Sequence, residues 1–285
     1  MSGMELKEVF ALLACIPDCN VPEDNTIHYG HRSIEGIDIY FVSNQTDETK
    51  VIHPAFRVTG KQPELWEATT GSIRDLPAFE VKGGATLVPL KLAPHESVFV
   101  VFRNKAGSSS LTEITDNYPE PESTDELRGP WKVTFDPSLR GPAEPVIFKT
   151  LHDWTTSQNE SIRYYSGTAR YTIEFATPEI KENETVFIDL GNLTAMAKVK
   201  VNGTYAGGVW TYPYRLNITD FVKQGDNELE IEVVNNWMNR LIGDLNLPEA
   251  QRKTWCFVNP YSPQSPLQPS GLFGPVTIQT IQYKK

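Results

Sequence analysis

The chain has 285 residues, which is enough for two ordinary domains, and its 39% hydrophobic and 22% charged residues are typical of a globular protein. The formal net charge of -10 disfavours nucleic acid as a partner, because an acidic protein and a phosphate backbone repel each other. No apolar run approaches the roughly 20 residues that cross a bilayer, so the sequence predicts no membrane-spanning segment.

The first predicted element is an amphipathic helix from Glu5 to Ile16. Apolar residues recur there at helical spacing, and Pro17 ends the pattern. The apolar face is strong for so short an element, so we expect it to pack against a body of protein outside this sequence. The three cysteines are an odd number, far from a disulfide framework, and we interpret them as unpaired thiols.

Residues 34–105 are predicted to form a small β-sandwich. Short strand-like runs such as IDIYFVSN and SVFVVFR follow one another, and glycine and proline punctuate them with no helical pattern between. Residues 106–125 are polar and acidic, with Gly, Ser and Pro, and so cannot bury much apolar surface. We interpret this stretch as a linker.

Residues 126–285 are predicted to form a second all-β domain. About eight further strand-like runs occur there, the number expected of a jelly-roll sandwich. One run, VKVNG, ends in Asn202 and Gly203, a pair that tolerates positive φ at both positions and so predicts a tight hairpin turn. The section from Asn236 to Ser270 has no clear pattern and is longer than most structureless loops. We therefore expect it to be functional or packed against another domain.

The runs of this second domain follow a recognisable order. SGTARYTIEF, FIDLGNLTAMAKVKVNG and PSGLFGPVTI occur in succession. In this, residues 126–285 resemble the galactose-binding-like jelly roll of family 2 glycoside hydrolases. A narrower resemblance comes from NNWMNRLIGD and, in the first domain, from HYGHRSIEGIDIYFVSN. These segments resemble the carboxy-terminal region of α-L-rhamnosidases of glycoside hydrolase family 106.

The resemblance implies an organisation and a function. Residues 1–33 are then the helical trailing segment of a preceding catalytic domain, 34–105 a connector, and 126–285 an accessory or sugar-binding module of a periplasmic or secreted bacterial protein. The catalytic barrel of such enzymes needs an eight-fold alternation of strand and helix, which this sequence lacks. We therefore predict a non-catalytic fragment that supports the missing barrel, and we assign no catalytic residue. Two alternatives stay open: an autonomous carbohydrate-binding module, and a structural pair of sandwiches that binds no ligand.

Carbohydrate is the ligand that the aromatic residues favour. A ring offers a flat apolar face to the C–H face of a sugar, while neighbouring polar groups take its hydroxyls. The alternative for each ring is packing in or over the core, and for the one charged pair it is a structural ion pair. The candidate contacts are Trp154, Trp210, Tyr212, Tyr214, Trp237, Arg240 and Asp244.

Two further expectations concern polar groups. His28, His31 and Arg32 lie where the resemblance implies a seam with the preceding domain, so we expect them to be exposed or unpaired. Calcium is the one cofactor that the sequence leaves open, since carboxylate and backbone oxygens often bind it in jelly-roll modules. No Asp-x-Asp loop marks such a site in the sequence, and no other metal or cofactor is predicted.

Overall fold

The computed structural model describes residues 5–13, 15–21, 25–106 and 116–282. It divides the chain into two compact units, Met1–Pro119 and Glu120–Lys285. Both units are built from antiparallel strands with a few short helices, which confirms the all-β fold class predicted from the sequence. Among the helices in the described ranges, none is long and apolar enough to cross a membrane.

The first unit begins with a short helix and continues in short strands. The helix ends at Leu12, short of the predicted end at Ile16. The elements are α1 (Leu6–Leu12), β1 (Cys19–Asn20), β2 (Ile27–Ile34), β3 (Ile37–Asn44), β4 (Lys50–Ile52), β5 (Ala55–Phe56), β6 (Lys61–Glu67), β7 (Ser72–Asp75), β8 (Glu80–Lys82), β9 (Ala85–Leu87), β10 (Leu90–Leu92) and β11 (Ser97–Lys105).

Five of these strands form the larger sheet of the first unit, in the order β2-β3-β11-β6-β7. The middle of β3 alternates, since Tyr40 and Val42 are fully buried while Phe41 between them is 40% exposed. Phe56 and Phe102 pack on the Tyr40 ring at centroid distances of 4.7 and 6.0 Å. Two smaller sheets, β1-β5-β9-β8 and β4-β10, contribute to the same core, so the inner face of the large sheet is covered.

The first sandwich begins earlier in the sequence than the predicted boundary at residue 34. Strand β2 pairs along its whole length with β3, across a tight turn at Glu35 and Gly36, which both have positive φ. The sequence does not indicate this strand because it is an edge strand exposed on most positions, with no apolar alternation. His28 and Arg32 on β2 are exposed, as expected.

His31 is paired, so the expectation that it is exposed or unpaired is wrong. Its ring stacks on Tyr40 with a centroid distance of 4.2 Å. Its two ring nitrogens lie 3.4 Å from a carboxylate oxygen of Asp18 and 3.3 Å from one of Asp38. Lys61 donates a 2.8 Å hydrogen bond to the same Asp38. A network of two carboxylates and two basic groups thus ties β2 to β3 and β6.

This network is expected to make the stability of the first unit depend on pH. Burial alone would raise the pKa of Asp38, but the hydrogen bond and the charge of Lys61, together with His31, hold that pKa below its usual value. A carboxylate whose pKa is lower in the folded than in the unfolded state stabilises the fold above its unfolded pKa of about 3.9. That stabilisation is lost as the pH falls through the lower, folded pKa.

Asp38→Asn should therefore flatten the acid part of the stability curve. Urea unfolding of the wild type should show a free energy that falls between about pH 5 and pH 2, and the variant should lose about 1 kcal/mol of that fall. Lys61→Met, which keeps the carboxylate and removes its cation, should flatten the curve in the same way. Curves for wild type and Asp38→Asn that run parallel would contradict this role of Asp38.

The second unit consists of twelve strands, two α-helices and three 3-10 turns among its described residues. The strands and α-helices are β12 (Ser123–Glu126), β13 (Trp131–Thr134), β14 (Val146–Phe148), α2 (Glu160–Arg163), β15 (Thr168–Thr177), β16 (Glu184–Asp189), β17 (Asn192–Thr194), β18 (Met196–Val201), β19 (Thr204–Val209), β20 (Arg215–Asn217), β21 (Gly225–Val234), α3 (Met238–Leu245), β22 (Gly271–Gly274) and β23 (Thr277–Gln282). The 3-10 turns are Pro137–Leu139, Trp154–Thr156 and Glu249–Gln251.

Two antiparallel sheets form the sandwich of the second unit. The larger has the order β14-β13-β15-β21-β18-β19, and the smaller has the order β12-β23-β16-β20. Val199 and Leu229 from the larger sheet and Ile188 and Ile278 from the smaller one lie in a single core. This is the two-layered sandwich that the sequence predicts. Strand β12 starts at Ser123 and pairs with β23, so this sheet begins within the stretch predicted to be a linker.

The hairpin predicted at Asn202 and Gly203 is confirmed. Strands β18 and β19 pair across it, and the two turn residues have φ values of 52° and 77°. The register shifts between Val199 and Lys200, where β19 accommodates one extra residue as a bulge. The extra residue is Ala206, near the start of β19.

The section from Asn236 to Ser270 contains a helix that the sequence pattern does not indicate. Helix α3 has only eight residues, MNRLIGDL, and the prolines and asparagines around it obscure its short apolar period. Gly243 lets α3 approach Tyr164 closely, because a Cβ at that position would lie 2.6 Å from the ring atom Cγ. Arg240 and Asp244 therefore lie four residues apart on a helix rather than in a loop.

Candidate functional site

Trp154, one of the predicted sugar contacts, lies in the core of the second unit. Its side chain is fully buried, and its Nε1 donates a 2.6 Å hydrogen bond to the Tyr171 hydroxyl. The rings of Phe135 and Tyr165 pack on it at centroid distances of 5.5 and 5.7 Å. Burial raises the pKa of Tyr171, so this hydrogen bond joins two neutral groups. A ring with no exposed face cannot stack on a sugar, so the structure makes Trp154 a packing residue.

Tyr212 and Tyr214 are brought together by the structure. Their ring centroids lie 4.7 Å apart at an interplanar angle of 45°. The Tyr212 hydroxyl donates a hydrogen bond to Oδ1 of Asn192 at the surface, while Tyr214 packs against the core of the second unit. Burial raises the pKa of the Tyr214 hydroxyl. Tyr214 therefore packs beneath Tyr212, and the hydroxyl at the surface is that of Tyr212.

Trp210 and Trp237 follow strands that lie on either side of β18 in the larger sheet of the second unit. Ala197 pairs with Val209 on β19 and with Val233 on β21, so the two strand ends are neighbours of the same residue. Trp210 follows β19 directly and is 65% exposed, and Trp237 lies at the start of α3 and is 52% exposed. These two rings are the most accessible of the predicted contacts.

Arg240 and Asp244 form a buried ion pair on α3. Nη1 of Arg240 lies 3.7 Å from Oδ1 of Asp244, and the two side chains are only 5% and 2% exposed. Nη2 of Arg240 donates a 3.1 Å hydrogen bond to the backbone carbonyl of Leu139. Burial lowers the pKa of Arg240, and the charge of Asp244 opposes that shift. Neither side chain is open to a ligand. The two residues therefore form a structural ion pair and do not contact a sugar.

The second carboxylate oxygen of Asp244 fixes the chain that follows α3. Oδ2 accepts hydrogen bonds of 2.8 Å from the backbone N–H of Lys253 and 2.8 Å from that of Thr254. It also accepts a 2.9 Å hydrogen bond from the Thr254 hydroxyl. One buried carboxylate therefore holds α3 and residues 253–254 together, and charge-assisted hydrogen bonds of this kind are the stronger ones in proteins.

The residues directly after this anchor are apolar and highly exposed. Trp255 is 85% exposed, Phe257 90% and Val258 72%, and we call residues 255–258 the aromatic segment. The sequence alone does not single it out, because no helical or strand period includes these residues. The available signal was two aromatic residues two positions apart in a section rich in Pro, Asn and Ser, where no core element needs them.

The first unit has an exposed apolar surface on the outer face of its five-stranded sheet. Phe41 pairs with Phe99, Phe99 with Trp66, and Trp66 with Ile73, so these side chains lie side by side across four strands. Phe41 is 40% and Ile73 51% exposed, and the rings of Phe41 and Phe99 lie 5.3 Å apart. We call these four residues the aromatic row.

A buried carboxylate fixes the orientation of Trp66 in the aromatic row. Glu64, which is 2% exposed, accepts hydrogen bonds from Nε1 of Trp66 at 2.9 Å, from Nε of Arg103 at 2.9 and 3.0 Å, and from Asn104 at 2.8 Å. The Arg103 guanidinium lies over the Trp66 ring, 5.2 Å from its centroid. These contacts hold the Trp66 side chain in one orientation, so a partner that binds there has little of its rotamer freedom to remove.

A groove of about 540 Å³ lies on the outer face of the larger sheet of the second unit. Its described lining includes Lys132, Glu174 and Glu228 but no aromatic ring, so it offers a sugar no stacking surface. Across the ranges that the structure describes, no group of three or more His, Cys, Asp or Glu side chains is arranged to hold a metal ion.

Two family models match this chain in different parts. Residues 1–80 match the glycoside hydrolase family 106 model, described as alpha-L-rhamnosidase. Residues 149–257 match a model described as the glycosyl hydrolase 2 galactose-binding domain-like family. The first match contains most of the aromatic row, and the second contains Asp244, Trp255 and Phe257.

Longer proteins resemble most of this chain. The solved structure of a rhamnosidase from Novosphingobium sp. PP1Y is 36% identical, with a TM-score of 0.87 over 96% of this chain, but the match covers only 26% of that protein. A Formosa agariphila protein named "Putative beta-glucuronidase" is 35% identical over 208 residues, which are 64% of this chain and 18% of that protein. The resemblance stated from the sequence is thereby confirmed: this chain is similar to part of a family 106 α-L-rhamnosidase, and its second unit is similar to the galactose-binding-like domain of family 2 glycoside hydrolases.

Proposed function

We propose that this chain is the non-catalytic part of an α-L-rhamnosidase-like glycoside hydrolase, that it supports the catalytic barrel, and that it contacts carbohydrate. The observation that carries the proposal is the extent of the similarity, which includes 96% of this chain but 26% of the rhamnosidase. Both units are antiparallel sandwiches, whereas the expected barrel is built from parallel strands and helices. Bond cleavage is therefore assigned to a part of the parent protein outside this sequence.

The aromatic row supports the proposed contact with another domain of a longer chain. Soluble proteins rarely expose contiguous apolar patches of this kind unless a partner covers them. Trp66 with Arg103 stacked on it has the composition typical of interface hot spots. Phe41, Trp66 and Ile73 also lie within the residues that match the rhamnosidase family model. We assign the row to the surface that a neighbouring glycosidase domain covers.

The catalytic part of the proposal is tested with an aryl α-L-rhamnoside. The isolated chain should release no more aryl alcohol than a buffer control, while the Novosphingobium rhamnosidase serves as the positive control. A measurable rate that disappears when a single Asp or Glu is substituted would place a catalytic pair in this chain and overturn the proposal.

The carbohydrate part of the proposal is tested by titration. Rhamnose-bearing oligosaccharides should change the tryptophan fluorescence of the chain at concentrations up to about 1 mM, a Kd range that corresponds to about −4 kcal/mol or tighter. If the signal stays constant throughout that range, carbohydrate contact is wrong and only the supporting role stands.

A further inference from the structure

We infer that the aromatic segment, residues 255–258, is the carbohydrate contact of the second unit and that Asp244 is its positioning residue. This inference rests on the proposed function, because it takes carbohydrate as the ligand. It differs from the sequence prediction in both parts, since Trp255 and Phe257 are new contacts and Asp244 acts through the backbone it holds.

Accessibility favours the aromatic segment over the contacts predicted from the sequence. A sugar stacks on the flat face of a ring, so the ring must be open to solvent. Trp255 and Phe257 are 85% and 90% exposed, compared with 65% for Trp210 and 52% for Trp237. Their exposure also shows that neither ring packs in the core of the second unit.

The base of the segment is held in place before any ligand arrives. Three hydrogen bonds to Oδ2 of Asp244 fix residues 253–254. On the preceding residues, Arg252 donates a 3.1 Å hydrogen bond to the carbonyl of Leu247, and Arg140 donates one to the carbonyl of Gln251. Binding therefore orders few additional backbone dihedrals, and this preorganisation raises affinity.

Asp244 can act as this anchor because Arg240 compensates its buried charge. Nη1 of Arg240 lies 3.7 Å from Oδ1, which is an ion-pair contact longer than a hydrogen bond, while Oδ2 accepts from the three donors of residues 253–254. A buried carboxylate without a cation nearby is costly, because its charge has left water and has no opposite charge to compensate it. The ion pair thus does more than stabilise α3, because it positions residues 253–254 and with them the base of the aromatic segment.

Carbohydrate is the ligand chemistry that the neighbouring observations favour. The residues that match the galactose-binding domain-like model, 149–257, include Asp244, Trp255 and Phe257. Neutral sugars are also indifferent to the net charge of -10, which would repel acidic ligands. A protein surface is the competing occupant of exposed aromatic residues, and it is an outcome of the test below.

The test uses the 285-residue chain with methyl α-L-rhamnopyranoside and D-galactose, measured by titration calorimetry and by iodide quenching of tryptophan fluorescence. A bound sugar should protect Trp255 from iodide. Trp255→Ala and Phe257→Ala should each weaken sugar binding about ten-fold or more. Trp210→Ala and Trp237→Ala, matched exposed-aromatic variants, should change the Kd by less than about two-fold.

The positioning role is tested on the anchor itself. Asp244→Asn should weaken sugar binding about ten-fold. It should also speed trypsin cleavage after Lys253, because the backbone N–H groups of Lys253 and Thr254 lose their charged acceptor. Thr254→Val removes one of the three donors and leaves the ion pair intact. It should give the same changes in smaller degree without lowering the unfolding temperature, a result that general destabilisation would not produce.

The outcomes separate this inference from the function on which it rests. If the wild type binds neither sugar, the carbohydrate role and the inference both fail, while the supporting role of the chain stands. If the wild type binds sugar and Trp255→Ala with Phe257→Ala binds it equally well, only the inference is wrong. If these substitutions leave sugar affinity unchanged and abolish self-association in analytical ultracentrifugation, the segment is a protein contact and the inference is likewise overturned.

Discussion

Trp154→Ala is expected to lower the free energy of unfolding of the second unit by about 3–5 kcal/mol. The ring is fully buried between Phe135 and Tyr165, so its removal leaves a cavity that the two sheets fill only in part. The Tyr171 hydroxyl also loses the indole donor at 2.6 Å. Differential scanning calorimetry should show the transition of this unit shifted down by roughly 10 °C.

Trp210→Ala is the matched control for that result. It makes the same chemical change at a ring that is 65% exposed, and the stability should move by no more than about 0.5 kcal/mol. The fit around Trp154 is strict, because a Cβ at Gly271 would lie 2.4 Å from its Nε1. Equal unfolding temperatures for the two variants would mean that Trp154 is not a core residue.

The fold class could be predicted from the sequence because its signals are local. The turn at Asn202 and Gly203 needs only two neighbouring residues with positive φ, and the run of β-branched and aromatic residues in β3 is contiguous in the sequence. Edge strand β2 was not predicted, because most of its positions are exposed and its sequence therefore has no apolar alternation. Helix α3 was not predicted, because its eight residues make little more than two helical turns, too few to show a clear apolar period.

The site could be predicted only in part because burial and register are properties of the assembled sheets. Nothing local distinguishes Trp154, which is fully buried, from Trp210, which is 65% exposed. The spacing of Arg240 and Asp244 did indicate an ion pair. The anchoring of residues 253–254 by that pair depends on how the chain returns to α3, and the aromatic row depends on the pairing of strands distant in sequence.

Arg240→Ala is expected to destabilise the second unit by about 3–5 kcal/mol, because it leaves the carboxylate of Asp244 buried without its cation. The control is Arg170→Ala, which removes a guanidinium that is 50% exposed and lies 3.3 Å from Glu230 and 3.0 Å from Glu232. Exposed ion pairs contribute little, so the control should lose less than about 1 kcal/mol. Urea unfolding of both variants beside the wild type measures the difference.

A double substitution separates the stability of this ion pair from its positioning role. Arg240→Met with Asp244→Leu replaces two buried charges by apolar side chains of similar volume, a change that is often neutral or stabilising. Its free energy of unfolding should therefore recover most of what Arg240→Ala loses. The double variant, unlike Arg240→Ala, removes the acceptor of the backbone N–H groups of Lys253 and Thr254, so trypsin should cleave after Lys253 faster than in the wild type. If the double variant resists trypsin as well as the wild type does, the pair is only a packing element of α3, and the aromatic segment keeps its place without it.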